Sequence, residues 1–198
     1  LTTLNLAVAA DADGASERQD GTLFGAGGTG TSVISSTAAG TRSIAGHRFT
    51  GVTIAVGSTI NTCVCRVAAT STSFDDILGH IYLNDVDNAA NFTDEADVQS
   101  RAKTTANTAW SATALGTSYV TTPGFAAALQ EVIDRAGWAS GNAVCVLFNG
   151  DNSATARTYQ IEAYPNAGTE HPLLDIDYTA PAAASGNPWW GQRGGFWG

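Results

Sequence analysis

With 198 residues and 20.3 kDa, the chain is long enough for one well-packed core. Its composition, 43% hydrophobic and 14% charged with 22 glycines, suits short strands joined by many turns rather than extended disorder. The 18 acidic and 9 basic residues leave a formal charge of −9, which repels phosphate backbones and removes the attraction that drives nucleic-acid binding.

No stretch approaches the ~20 apolar residues of a membrane-spanning helix, and Leu1-Thr2-Thr3-Leu4-Asn5-Leu6 lacks a basic leader, so a soluble chain is expected. Methionine is absent even at position 1. The numbering is therefore expected to begin after a processing event or part-way along a longer chain, which favours an exported or virion protein.

Residues 1 to 46 are rich in Gly, Ala, Ser and Thr, with Asp11-Ala12-Asp13-Gly14 and Gly25-Ala26-Gly27-Gly28 as turn signals between short apolar pieces. They read as an N-terminal arm with short strands. A β-sandwich domain is expected over 47–180. It opens with strands from His47 to Ile54 and from Thr59 to Thr70, with Gly57-Ser58 as the turn between them. The second strand puts Cys63, Cys65 and Val67 on one face and Thr62, Val64 and Arg66 on the other. Gly79 to Leu83 is a further strand, ending in the turn-prone Asn84-Asp85-Val86-Asp87-Asn88.

One amphipathic helix is predicted after Thr121-Thr122-Pro123, where threonine can cap and proline suits the first helical position. Phe125, Leu129, Val132 and Ile133 form its apolar stripe, Glu131 and Arg135 an i, i+4 pair, and Gly137 its end, about 13 residues on. The nearly continuous apolar run from Asn142 to Phe148 belongs in the middle of a sheet. Arg157 to Tyr164 alternates Tyr159, Ile161 and Ala163 with polar residues, and Leu174, Ile176 and Tyr178 alternate with Asp175 and Asp177. Residues 181–198 read as a linker and a Gly/Trp-rich tail.

Cys63 and Cys65, as i and i+2 neighbours on one strand face, rarely reach disulfide geometry, so three small buried hydrophobes are expected, with a bridge from Cys145 to one of them as the alternative. Two cysteines without a nearby histidine or second pair fall short of a zinc site. No catalytic residues are expected: no Gly-x-Ser-x-Gly occurs, Gly25 to Gly30 lacks the Lys-Ser of a phosphate loop, His47, His80 and His171 are far apart in sequence, and Asp75 and Asp76 as strand neighbours face opposite sides. Asp85, Asp87 and Asn88 gather hard oxygen ligands in one turn, read either as a plain Asx-rich turn or as a structural calcium site, the sole cofactor considered. Trp110 and Trp138 are core residues or carbohydrate-stacking platforms. Asn91-Phe92-Thr93 fits a glycosylation sequon that bacterial or phage origin would leave idle.

The segments "FTGVTIAVGST" from Phe49, "INTCVCRV" behind it, "IYLNDVDNAANF" at 81–92, "RAKTTANTAW" at 101–110, "TTPGFAAALQEVIDRAGWASGNAVCVLF" at 121–148 and "YQIEAYPNAGTEHPLLDIDY" after it together resemble a family of β-sandwich modules of secreted bacterial proteins and phage virion proteins. The resemblance covers about two thirds of the chain. It implies a jelly-roll-like β-sandwich similar to carbohydrate-binding modules, with no catalytic residues to carry over; together with the pass along the chain this gives an expected mainly β, antiparallel β-sandwich with one amphipathic helix and extended N- and C-terminal arms. The tail also resembles the endings of some phage virion proteins.

Trp189, Trp190, Phe196 and Trp197 offer aromatic anchors on a glycine tether, with Arg193 as a cation–π or salt-bridging companion, and contact with a partner would order them. The expected function is a non-enzymatic structural or decoration protein of a phage particle or other extracellular assembly, homo-oligomeric and joined to other virion or assembly subunits. The rival is a carbohydrate-binding or adhesive module of a secreted protein that binds surface glycans; an undetected hydrolase comes third.

Overall fold

Side chains that alternate along a strand need two environments, and this chain supplies them with two sheets stacked face to face. The computed structural model describes residues 1–18, 23–24, 31–36, 42–70, 76–93, 97–112, 116–151, 157–164 and 170–182. The predicted Gly25 to Gly30 turn, Asp75, and the tail residues Trp189, Trp190, Arg193, Phe196 and Trp197 lie outside them.

The strands are β1 (Thr2–Ala7), β2 (Gly14–Arg18), β3 (Leu23–Phe24), β4 (Thr31–Ser36), β5 (Ser43–Phe49), β6 (Thr59–Val67), β7 (Ile77–Leu83), β8 (Thr108–Ala112), β9 (Val120–Thr121), β10 (Val144–Gly150), β11 (Arg157–Glu162) and β12 (Leu173–Thr179). Two helices, the single turn α1 (Asp97–Ser100) and α2 (Ala126–Ile133), and a 3-10 turn at Asp11–Asp13 complete the described elements. The smaller sheet runs β1-β12-β6-β9; the larger runs β11-β4-β5-β10-β7-β8, with β2 pairing with β5 and β3. Every pairing is antiparallel. The protein is mainly β, an antiparallel β-sandwich with few, short helices.

The main core fills the space between the sheets. Cys63, Cys65, Val67, Leu174 and Ile176 of the smaller sheet meet Phe49, Ile81, Leu83, Val146, Phe148 and Ile161 of the larger. On β6 the expected faces hold for Cys63, Cys65 and Val67, all buried, against Thr62, Val64 and Arg66. Ile60, of opposite parity, is buried too, because the register slips between Asp177 and Tyr178 of β12 and leaves Asn61 as the extra residue of a bulge.

A second, smaller core lies on the outer face of the larger sheet, where Ala15, Ile44, Cys145 and Leu147 are covered by Ala89, Phe92 and Val98. Gly46 is what lets Phe92 lie flat on the sheet, since a Cβ there would strike the ring. The Arg101 guanidinium stacks above the same ring, 4.0 Å from its centroid. Gly79 has a similar reason: a Cβ would collide with the Asn149 backbone carbonyl.

Four expectations are corrected. The described strands within residues 1–46, expected as an arm with short strands, belong to the sandwich: β1 joins the smaller sheet, and β2, β4 and the first half of β5 join the larger, so the boundary at 47 cuts through β5. The strand expected to run to Ile54 ends at Phe49, because Gly51 takes φ +70° and turns the chain into a loop. That loop is pinned by Val52 N–H to Asn142 O at 3.0 Å and by the Trp138 Nε1–H to Ile54 O at 2.9 Å.

The helix is also shorter than predicted, Ala126–Ile133, and Phe125 occupies its N-cap without a side-chain bond. The Thr122 hydroxyl that could have capped it instead accepts the Cys65 N–H at 2.9 Å, holding the segment before α2 against β6. The expected Glu131–Arg135 pair gives way to two longer reaches. Glu131 accepts the N–H groups of Thr105 and Ala106 at 2.8 and 2.9 Å, and Arg135 turns to Asp85 and Asp87.

The apolar stripe of α2 is nonetheless buried as drawn, with Phe125, Leu129, Val132 and Ile133 at 1% exposure or less. Gln130 fastens the helix to the smaller sheet, accepting the Ile60 N–H at 2.8 Å and donating to Ser58 O at 3.1 Å. Leu129→Ala is therefore expected to cost about 2–5 kcal/mol, read as a shift in urea midpoint at unchanged slope. A cost under ~1 kcal/mol would mean that the stripe does not pack as described.

Candidate interaction surface

The outward face of the smaller sheet carries the densest set of cross-strand polar contacts among the described residues. Asp175 and Asp177 occupy the outward positions of β12 because Leu174 and Ile176, which alternate with them, are buried. On one side β1 sets Asn5 opposite Asp175 and Thr3 opposite Asp177; on the other, β6 sets Thr62 opposite Asp177. Asn5 Nδ2 and Thr3 Oγ1 each donate at 2.6 Å to the aspartate facing them. Thr62 Oγ1 donates to Asp177 Oδ2 at 3.2 Å, and Arg66 grips Asp175 with two bonds, Nε to Oδ2 at 2.5 Å and Nη2 to Oδ1 at 3.1 Å.

Burial pushes the Asp175 carboxyl up, but the bonds from Arg66 and Asn5 outweigh it and hold the group below the usual carboxylate range. The Arg66 guanidinium also lies 5.6 Å from the centre of the Tyr119 ring, whose hydroxyl donates to His171 O at 2.9 Å. The result is a rigid polar surface spanning three strands. Sequence alternation marks Asp175 and Asp177 as solvent-side residues, but their partners lie more than 100 residues away and no local pattern names them.

The residues singled out from sequence sit elsewhere. Trp110 and Trp138 are core residues at 3% and 4% exposure. A sugar-stacking platform needs an open ring face, so the carbohydrate-platform expectation is corrected for both: Trp110 packs on Phe148 with ring centres 5.3 Å apart, and Trp138 ties down Ile54. At the Asx-rich turn, the positive charge facing Asp85 and Asp87 is Arg135: its Nη1 pairs with Asp85 and its Nε with Asp87 at 2.7 Å. Asn88 Oδ1 accepts the Ala143 N–H at 2.8 Å. The calcium reading is thus replaced at these residues by ion pairing, and among the described residues no group of three or more His, Cys, Asp or Glu could hold a metal ion.

Asn84, Asn88, Asp97 and Arg101 also line an open depression of about 270 Å³. Its floor is structural. Arg101 donates to the carbonyls of Ala90 and Asn91 at 3.0 and 3.1 Å and to Asp97 at 2.6 Å, and Asn84 Nδ2 donates to Ala102 O at 2.9 Å.

The three cysteines are free and buried, as expected of small hydrophobes. Burial raises all three thiols, Cys145 to about 12, which is the reverse of what a nucleophilic thiolate needs. The histidines occupy three separate environments. His80 Nδ1, midway along β7, meets Asp151 Oδ1 just beyond β10 at 2.8 Å, both groups about one third exposed. His171 packs on Tyr164, with ring centres 5.1 Å apart. His47 is fully buried beside Phe148, and among the described residues neither ring nitrogen has a hydrogen-bond partner.

No protein-family model matches the chain, and no curated protein matches it. The sandwich that the sequence resemblance implied is present; the family itself is not identified. Among the described residues, no helix is long and apolar enough to cross a membrane.

His47 generates a pH prediction. Burial lowers its pKa from 6.5 to about 3, so between these values the unfolded chain binds the proton and the folded chain does not. Stability from this group is full above pH 6.5 and is lost as pH falls below it, at up to ~1.4 kcal/mol per pH unit. Urea midpoints measured from pH 7.5 to 5 are expected to fall below 6.5 for the natural chain and to flatten in His47→Leu. Equal slopes in the two proteins would assign the acid sensitivity to other groups.

Proposed function

We propose that this chain is a non-enzymatic structural or decoration subunit of a phage particle or another extracellular assembly, displaying its β-sandwich and joining neighbours through its terminal segments. The observation that supports this best is the outward face of the smaller sheet. Its polar side chains are already fixed across three strands, so contact with a neighbouring surface costs little further side-chain entropy. The groups with reactive chemistry point the same way: the thiols are buried and raised, His47 is held neutral in the core, and the His80–Asp151 pair lies on the open outer face of a sheet.

The Gly186 to Gly198 segment supplies the aromatic anchors of this reading, with about 150–250 Å² to bury on each. Its deletion is expected to leave β circular dichroism near native while weakening oligomers or particle occupancy, followed by size-exclusion light scattering and by occupancy counts. Intact assembly together with an unfolded domain would make the segment part of its own core and remove this support. Binding of a glycan by a monomer, abolished in Asp175→Ala, would instead favour the carbohydrate-binding alternative, which the Asn5, Arg66, Asp175 and Asp177 groups also suit.

The non-enzymatic part has its own check. A panel of polysaccharides and esters is expected to show no turnover, and turnover that disappears in His80→Ala would make the His80–Asp151 pair an acid–base dyad.

A further inference from the structure

The free edge of the smaller sheet makes the assembly reading more specific, and the seam inferred from it rests on that reading. Strand β1 pairs with β12 on one side and, among the described residues, with no strand on the other. Beyond Ala7, which faces Leu173, the register continues with the Val8 N–H donating to Pro172 O at 3.1 Å. In an antiparallel ladder, residues whose backbone groups bond one neighbour alternate with residues whose groups point away from it. Thr2, Leu4 and Leu6 share the parity of Val8 and turn their N–H and C=O toward β12. Thr3, Asn5 and Ala7 therefore aim three donors and three acceptors outward.

Exposed edges are normally blunted by a charged residue, a proline, a bulge or shortness. Thr2-Thr3-Leu4-Asn5-Leu6-Ala7 has neither charge nor proline, and its register with β12 runs unbroken over six residues. The other edges are treated differently. β11 is covered by the chain after β6, with Glu162 N–H donating to Ala68 O at 2.9 Å and Thr70 N–H to Gln160 O at 3.2 Å, and β9 has only two residues. β8 lies beside the segment leading into α2, with Thr108 Oγ1 donating to Gly124 O at 3.0 Å.

We infer that the β1 edge is a self-association seam, at which β1 of a second copy pairs antiparallel about a two-fold axis through Asn5. Asn5 then faces the second copy's Asn5, and Thr3 faces the second copy's Ala7, so that all outward backbone groups of Thr3, Asn5 and Ala7 are satisfied. The register is self-complementary on both faces. Leu4 meets the second copy's Leu6 on the core side, where both leucines are only partly buried in one copy. A slip of one residue would set leucine against asparagine and turn one sheet over. The formal charge of −9 does not oppose the seam, because the nearest facing carboxylates, on the two β12 strands, are three strand spacings apart, about 14 Å and beyond the physiological Debye length. An isologous two-fold contact of this kind closes on itself, giving one continuous eight-stranded sheet.

The test uses the full chain in sedimentation equilibrium over a range of concentrations, with hydrogen exchange on the same samples. A dimer is expected. The amides of Thr3, Asn5 and Ala7 should gain protection as concentration rises, while those of Leu4 and Leu6 are protected throughout. Asn5→Pro removes the outward N–H at the two-fold and leaves the β12 ladder intact, so it should raise the dimer dissociation constant about 10–100-fold. Ala7→Pro, where no side-chain bond is at stake, should repeat the proline effect.

A chain that is monomeric at every concentration, or odd-numbered amides whose exchange ignores concentration, overturns the seam. A dimer indifferent to both prolines overturns it too but leaves the assembly reading standing, since loss of assembly on tail deletion tests that separately.

Discussion

Strand β10 is covered on both faces, and most of the architecture depends on that. Val144, Val146 and Phe148 point into the core between the sheets, while Cys145 and Leu147 point the other way and would meet water if the larger sheet were an ordinary outer layer. Burying each such side chain is worth roughly 1.5–3 kcal/mol, so the chain between β7 and β8 has to serve as a roof. It does so with Ala89, Phe92 and Val98, and its own backbone is bound to the sheet below: Asn84 N–H donates to Cys145 O at 2.9 Å, and Ala89 N–H to Ala143 O at 3.0 Å.

The ion pairs concentrate where this roof must be held down. Arg48 reaches from β5 to Asp13 at 2.6 Å and to Ala89 O at 2.7 Å, joining the 3-10 turn, the sheet and the roof. Arg101 stands on Phe92 and holds three further oxygens, and Arg135 clamps Asp85 and Asp87 from the far side. With 9 basic against 18 acidic residues, spending three arginines on one loop is a large commitment. It accounts for why a turn that looks from sequence like a cation site is an arginine-closed turn instead.

Much of the sandwich was legible in the sequence because burial imposes period two on its strands. The faces of β6, the central place of β10, and the alternation of β11 and β12 could all be read from single segments. What escaped was set by pairing across long distances. The Gly-, Ala- and Ser-rich start looks like an arm until β12 and β5 are there to receive it. Glycines such as Gly46, which lower strand propensity, are demanded there by a phenylalanine 46 residues away. Spacing gives Thr122 and Glu131 local helical roles, yet both bond backbone amides of other segments, since a buried unpaired N–H costs more than an uncapped helix end gains. The polar face was missed for the same reason: Thr3, Asn5, Thr62, Arg66 and the two aspartates come from three separate stretches of the chain.

That face and the edge beside it differ in a way that bears on assembly. The two carboxylates are each bound from two sides, so the surface is fixed in shape and its negative charge is partly neutralised within the sheet. The neighbouring β1 edge is instead neutral and has backbone valences pointing outward. In an acidic protein, repulsion between copies is weakest where the facing carboxylates of the two copies stand more than a Debye length apart, and directional bonding is strongest where outward amides stand in register. Both conditions meet on one strand. A chain built in this way can keep its subunits apart by net charge in dilute solution and still join them along a single, geometrically defined line.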